Sequence, residues 1–290
     1  MVTMITPELF DAFHDLGLFG TFATDDLPLL DQEYPQPTNQ AQKMWSNNGY
    51  FMVQGMVPDA LIDAYTEDWQ RINADRPTGY PIETPYMHIQ SVRDICCYGP
   101  IQEMMQNLIG EPMGVHLNLT PWVTTERNWH QDGYLNPDHV TDHYLAVWVA
   151  LDDIHPDSGP FEFAPGSHRL PKITHDRMLA SLTEKEQASP MWPKYSERIL
   201  TPLFERLIVK AGMSVATYTP KRGDVLFWHA RLLHRGSMAN VPGMERRALI
   251  AHYSGIHHRP DMPPAVPYGD GYLFPIHQEM IAPTSNMYGL

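Results

Sequence analysis

The sequence predicts a mainly β fold with flanking helices, an α+β domain built on an antiparallel barrel or jelly roll. Three observations point there. From residue 113 onward, short apolar runs alternate with turn residues, at 114–123, 143–151, 161–164, 214–218, 224–229 and 247–253. The chain holds 27 prolines against 19 glycines, which favours many turns and short elements over long helices. Its residues are 43% hydrophobic and 19% charged, enough for a sizeable core and unlike a disordered, collagenous or coiled-coil chain. Length divided by about 150 suggests two domains, yet barrels of about 250 residues are common as one unit. Residues 1–290 are therefore read as a single domain.

Taken in order, residues 1–43 read as an N-terminal arm, with a short amphipathic helix at 7–18 and a loop rich in Asp and Pro. Tyr50-Phe-Met-Val-Gln-Gly is a strand candidate. A helix begins at Pro58, with proline and aspartate in its first turn, and runs to about Asn73. Residues 101–109 have helical spacing and stop at Gly110, a glycine suited to a helix C-terminus. Within the strand region, 174–210 shows helical patterning, so the stretch from about 171 to 212 is expected to form a lid over a barrel mouth. The tail, 258–290, carries six of the 27 prolines and is expected to wrap the surface.

Charge narrows the partners. With 20 Lys+Arg against 34 Asp+Glu the chain carries −14, a field that repels phosphate backbones and anionic lipid. No nucleic-acid or membrane partner is expected, and a small-molecule ligand is. No stretch approaches the roughly 20 apolar residues of a membrane helix. The start has neither a basic nor an apolar leader region, so it does not read as a signal peptide. Cys96 and Cys97 are adjacent and no CxxC is present, so a reducing cytoplasm is the expected location.

Fifteen histidines are too many to read singly, so a pattern is needed. His130-Gln131-Asp132 is the sharpest, because in a strand positions i and i+2 share a face and would bring imidazole and carboxylate together. One more imidazole would complete the two-His-one-carboxylate triad of non-haem Fe(II). Such a triplet also arises by chance. His155-Pro156-Asp157 lies in a turn and His277-Gln278-Glu279 in the proline-rich tail, so context favours His130 and Asp132. For the third ligand, His229 and His234 both stand in the segment 222–237, and period alone does not choose between them. Arg246 and Arg247 open the apolar strand that follows, where an arginine can grip a carboxylate bidentately.

Five segments carry a resemblance. They are Asn48-Gly-Tyr-Phe-Met-Val-Gln-Gly, Trp129-His-Gln-Asp, Ala146-Val-Trp-Val-Ala-Leu-Asp-Asp, Ser158-Gly-Pro-Phe-Glu-Phe-Ala-Pro-Gly-Ser-His, and Gly223-Asp-Val-Leu-Phe-Trp-His with the His-Arg-Gly-Ser and Arg-Arg-Ala-Leu that follow it. In order and spacing, 44–255 resembles the phytanoyl-CoA dioxygenase family of Fe(II)/2-oxoglutarate oxygenases, which includes ectoine hydroxylase. The resemblance implies a double-stranded β-helix, and Fe(II), 2-oxoglutarate and O2 as cofactor and cosubstrates. It implies His130, Asp132 and His234 as iron ligands and makes His229 a non-ligand. Arg246 matches the arginine that holds the distal carboxylate of 2-oxoglutarate. The loop from His234 to Arg246 is one residue longer than usual, with Arg235 as the inserted residue. That aligns Ser237 with a cosubstrate-contacting serine and keeps Arg247 as an alternative clamp. Trp148 matches a tryptophan lining the cosubstrate pocket, with plain core packing as its other reading. Asn118 is a further cosubstrate contact, and His168 a signature residue with a structural role. Related halogenases have a small residue in place of Asp132, so hydroxylation of an unactivated C–H, with succinate and CO2 as coproducts, is expected over halogenation.

The family does not choose a substrate. Net charge weighs against acyl-CoA. Aromatic residues near the expected mouth, Trp122, Trp129, Tyr134, Trp192 and Tyr195, would suit a cationic cage. His88, Gln90 and Arg93 would suit an anion. Together they point to a small polar or zwitterionic substrate, such as a quaternary ammonium compound or an organophosphonate. A non-catalytic metal-binding barrel and a zinc hydrolase are the alternatives, since three ligands and an open position also suit Zn²⁺.

Overall fold

The apolar runs become strands close to where their spacing places them. The computed structural model describes residues 37–72, 84–170, 172–210 and 212–276. The expected helix at 7–18, most of the N-terminal arm and the His277-Gln278-Glu279 triplet lie outside these residues.

Ten strands form two sheets among the described residues. They are β1 (Tyr50–Val53), β2 (Met113–Leu119), β3 (Tyr144–Ala150), β4 (Phe161–Phe163), β5 (Ala216–Tyr218), β6 (Val225–His229), β7 (His234–Gly236), β8 (Ala248–Gly255), β9 (Val266–Tyr268) and β10 (Gly271–Leu273). The seven-stranded sheet runs β1-β6-β3-β8-β2-β10-β9, and the smaller one β5-β4-β7. All pairings are antiparallel except β10 with β2. This is a jelly roll with helices on its outer face.

Both faces of the large sheet are covered, which is why β3 is buried at every position and reads as an unbroken apolar run. On the outer face, Val147, Phe227, Leu249 and Tyr253 pack under α1 (Gln40–Asn48), α2 (Asp59–Ile72), α3 (Gln90–Cys96) and α4 (Gly99–Ile109) through Trp45, Tyr65, Trp69 and Ile101. Asn39 caps α1 by accepting the Gln42 N–H at 2.9 Å, and α4 stops at Gly110 as its spacing predicts. On the inner face, Trp148, Leu226 and Trp228 face Phe161 and Phe163 of the small sheet. Each such side chain, fully buried, contributes about 1.5–3 kcal/mol.

The insertion is helical as expected: α5 (His175–Ala180), α6 (Glu184–Gln187) and α7 (Trp192–Lys210). Leu200, Leu203, Phe204 and Leu207 of α7 pack with Trp129, Tyr134 and Leu233, so the insertion rests on the segments that bear His130 and His234. Three elements went unforeseen: α1, α3, and the β9–β10 hairpin in the expected wrapping tail. The hairpin's strands have three residues each and include Pro267, too short for alternation to show. No helix among the described residues is long and apolar enough to cross a membrane.

Candidate active site

The end of β7 and the residue His130 form an isolated bridge. His130 N–H donates to His234 O and His234 N–H to His130 O, each at 3.1 Å. This sets the two rings side by side, with centroids 4.1 Å apart. In each ring Nδ1 meets a backbone carbonyl two residues earlier, Asn128 O at 2.7 Å and Leu232 O at 2.9 Å. A carbonyl can only accept, so Nδ1 carries the proton and the Nε2 lone pair faces Asp132. Burial holds both imidazoles below their ordinary pKa; for His130 the nearby Arg127 adds to it, while for His234 the carboxylate of Asp132 opposes it.

Asp132 reaches them differently from expectation. It is not in a strand: its φ of −86° and ψ of −22° open a short 3-10 turn at Gly133–Leu135. Its N–H and that of Gly133 both donate to Ala230 O at 2.8 Å, which fixes the turn. Oδ1 then lies 3.8 Å from His130 Nε2 and 3.7 Å from His234 Nε2. Oδ2 accepts the indole N–H of Trp228 at 3.0 Å. Two unprotonated imidazole nitrogens and one carboxylate oxygen, all within 4.8 Å of one another, are a donor set suited to a divalent transition metal.

Strand parity removes the other histidine. Trp228 and His229 are neighbours on β6, so they leave on opposite faces. Trp228 turns inward to Asp132, and His229 turns outward between Trp45 and His168, where its Nδ1 accepts the Arg231 N–H at 3.0 Å. His168 is buried, with Nε2 on Ser46 O at 3.1 Å, a structural tie between β-barrel and α1.

The triad opens onto a half-open cavity whose space, counted with the solvent at its mouth, is about 490 Å³. Its lining includes Leu119, Thr125, Phe161, Ile250, His252 and two arginines, Arg127 and Arg246. Arg246 is 2% exposed, and its Nη1 donates to Gly159 O at 2.7 Å. Gly159 has φ 76°, and a Cβ there would sit 2.5 Å from Ser237 O, so only glycine brings this carbonyl so close. Arg247 points away, onto Glu245 and Asp152 and over the Trp122 ring. Arg127 reaches the cavity from the segment before His130, and its Nη2 pairs with Glu197 of α7 at 3.2 Å.

Several expected contacts are elsewhere. Ser237 does not line the cavity; its hydroxyl donates to Pro160 O at 2.8 Å. Trp148 packs edge-on to Tyr218 as core, the other of its two readings. Asn118 is fully buried and accepts the Tyr86 N–H at 2.8 Å, because its side chain leaves β2 opposite the lining residue Leu119. Trp122 stacks on Trp69 at 5.0 Å in the outer core. Tyr134 is buried against the helical insertion and Tyr195 packs beside Arg198, neither of them in the lining. His88 and Gln90 are exposed near α3, and Arg93 donates to Tyr86 O and covers the Tyr268 ring. Gln90 and Arg93 lie on α3 and His88 just before it, on the far side of the sheet from the cavity. The residue missed was Arg127. It stands in an irregular segment, where no periodicity says which way a side chain turns.

A model of the family described as phytanoyl-CoA dioxygenase (PhyH) matches residues 45–248, most of the chain, including the triad, Arg127 and Arg246. The chain belongs to the phytanoyl-CoA dioxygenase family. Its relatives include the human peroxisomal phytanoyl-CoA dioxygenase, 21% identical over 246 residues, which cover 75% of this chain and 68% of that protein. The ectoine dioxygenase of Sphingopyxis alaskensis is 27% identical over 177 residues, 56% of this chain and 53% of the relative. Among solved structures, the α-ketoglutarate-dependent epimerase SnoN of nogalamycin biosynthesis superposes with a TM-score of 0.57 at 19% identity, over 81% of this chain and 97% of that one. EctD of S. alaskensis with bound Fe superposes at 0.54 and 15% identity, over 83% and 81%. These structures share the jelly-roll fold. As a member of the phytanoyl-CoA dioxygenase family, the chain is a 2-oxoglutarate-dependent non-haem iron dioxygenase, using Fe(II), 2-oxoglutarate and O2. The donor set at His130, Asp132 and His234 fits that metal, and the zinc-hydrolase and non-catalytic readings give way.

Proposed function

We propose that His130, Asp132 and His234 hold the iron, that Arg246 holds the distal carboxylate of 2-oxoglutarate, and that the substrate is a small molecule whose anionic group meets Arg127. One observation carries this reading. The buried triad shares a single cavity with two arginines, and Asp132 is the only carboxylate among the lining residues. Two guanidiniums at one buried cavity, one of them paired with Glu197, offer donors to an anion inside a chain of net charge −14. One arginine suffices for the cosubstrate, which leaves the other for the substrate. The organophosphonate side of the expected substrate class gains from this. The quaternary-ammonium side loses its support, because none of its cage residues lines the cavity.

Bound Fe(II) with 2-oxoglutarate supplies O2 activation coupled to loss of CO2 and formation of succinate. The chain's own residues do the rest. Asp132 and the two neutral imidazoles would hold the metal on the cavity side that they line. Phe161, Leu119 and Ile250 give that side an apolar wall that excludes water. Arg127, steadied by Glu197, orients the substrate. With a carboxylate at position 132, the product is hydroxylated or otherwise oxidised, and not chlorinated.

The test is a substrate screen by succinate release under saturating 2-oxoglutarate. Small phosphonates and carboxylates, with or without an amine, should raise succinate above the uncoupled background. Arg127→Leu should raise KM for the best of them by about 30–5,000-fold, the range for losing a buried charge pair, with 2-oxoglutarate affinity nearly unchanged. Turnover confined to a long-chain acyl-CoA or to a cation without an anionic group would overturn the substrate assignment. A chlorinated main product would overturn the outcome.

A further inference from the structure

We propose that Glu111, His143 and His258 form a second divalent-cation site, of the borderline kind that binds imidazole and carboxylate together, with Zn²⁺ as its simplest occupant. Their ligand atoms lie within 4.8 Å of one another, the same closeness as in the iron triad. Glu111 precedes β2, His143 ends the turn before β3, and His258 follows β8. Since β3, β8 and β2 are neighbours in the large sheet, three segments distant in sequence meet at one edge. That edge is the end of β8 opposite Arg246, so the cluster is separate from the cavity.

Three features make this more than a surface ion pair. First, one carboxylate serves two rings. His143 Nδ1 lies 2.5 Å from Glu111 Oε1, and His258 Nε2 lies 3.2 Å from Oε2. The rings stack at 3.4 Å with 9° between their planes, an arrangement that two imidazolium cations would oppose by repulsion. Second, the carboxylate is seated over Gly255, where a Cβ would come within 2.5 Å of Glu111. The absence of a side chain at 255 is what makes room for it. Third, the three donors come from three separate segments that the sheet pairing of β3, β8 and β2 holds in place. All three proposed ligands are half-buried, within reach of an ion from solvent.

A tetrahedral ion with bonds of about 2.0–2.2 Å spaces its donors roughly 3.3–3.5 Å apart. The His258–Glu111 separation of 3.2 Å already matches this, and His143 at 2.5 Å must open by about 1 Å through a turn of its ring. The ion would staple the start of β2 and of β3 to the end of β8.

The experiment uses metal-free full-length protein titrated with Zn²⁺, in the wild type and in Asp132→Ala, which disables the iron triad. Asp132→Ala should still bind one equivalent at micromolar affinity or tighter, with a rise in Tm. Adding His143→Gln and His258→Gln should weaken that binding by more than about 100-fold, beyond the cost of losing an outer-shell partner. Glu111→Gln provides an independent variant if the double histidine change impairs folding. In zinc-soaked wild-type crystals, an anomalous peak should lie among these three side chains. No residual zinc binding in folded Asp132→Ala, binding that survives the changes, or the absence of a peak among these three side chains would each overturn the proposal.

Discussion

Trp228→Phe isolates one hydrogen bond at the metal centre. The indole N–H donates to Asp132 Oδ2 at 3.0 Å, and both residues are buried, at 2% and 3% exposure. A hydrogen bond to a charged group contributes about 1.5–3 kcal/mol, and leaving the acceptor buried without it costs at least as much. Phenylalanine keeps an aromatic ring against Phe161 and His234, the neighbours of Trp228 at 5.2 and 5.4 Å, so most of the packing remains. The lost term should therefore appear in metal affinity, as a weakening of about 10–100-fold, the usual size for an outer-shell partner and equal to about 1.4–2.8 kcal/mol. The assay is anaerobic titration with Fe(II) in the presence of 2-oxoglutarate, following the visible charge-transfer band, with Tm recorded alongside. An affinity within twofold of wild type, at unchanged Tm, would refute the reasoning. Asp132 would then be held by its backbone alone, through the paired amides on Ala230.

Arg246→Ala should abolish the charge-transfer band at 2-oxoglutarate concentrations that saturate wild type, a loss of about 2–5 kcal/mol, while Arg247→Ala should shift it by less than about threefold. Equal effects would mean that both arginines serve the cosubstrate. Trp122→Ala should lower stability by about 3–5 kcal/mol through loss of the Trp69 stack and leave substrate KM nearly unchanged; a selective rise in KM would restore the cage expectation. Burial holds the His168 imidazole down to about 3, so the unfolded chain takes up a proton that the folded one refuses. Its contribution is intact above the unfolded value near 6.5 and is lost as pH falls from there toward 3, at about 1.4 kcal/mol per unit. Denaturant midpoints of His168→Gln should accordingly fall less steeply than wild type between pH 6 and 4, and identical slopes would contradict this.

What was legible in the sequence was whatever depends on local pattern. The strands of β2, β3, β6 and β8 follow from apolar runs whose length and bounding turns fix their ends, and Gly110 ends its helix because a left-handed residue is needed there. The three residues proposed to hold the metal were legible through their segment order. The mechanism that brings them together was not, since strand alternation suggested the pairing of His130 with Asp132 and a turn supplies it. Trp122 and Tyr134 show why the aromatic cage failed. An aromatic residue near a mouth in sequence can leave its backbone on either face, and packing against Trp69 or the lid helix decided for the core.

The sequence by itself determined the fold class and the family, and it singled out the three donors proposed for the metal, because these rest on residue types at fixed spacing along one chain. Only the tertiary structure decided which arginine enters the cavity, that Arg127 joins it, that Trp228 steadies Asp132, and that Glu111, His143 and His258 meet. Each of these depends on side chains from segments far apart in sequence, whose directions are set by sheet register and by turns. Periodicity states which residues share a face within one element. It carries no information about which other element that face will meet.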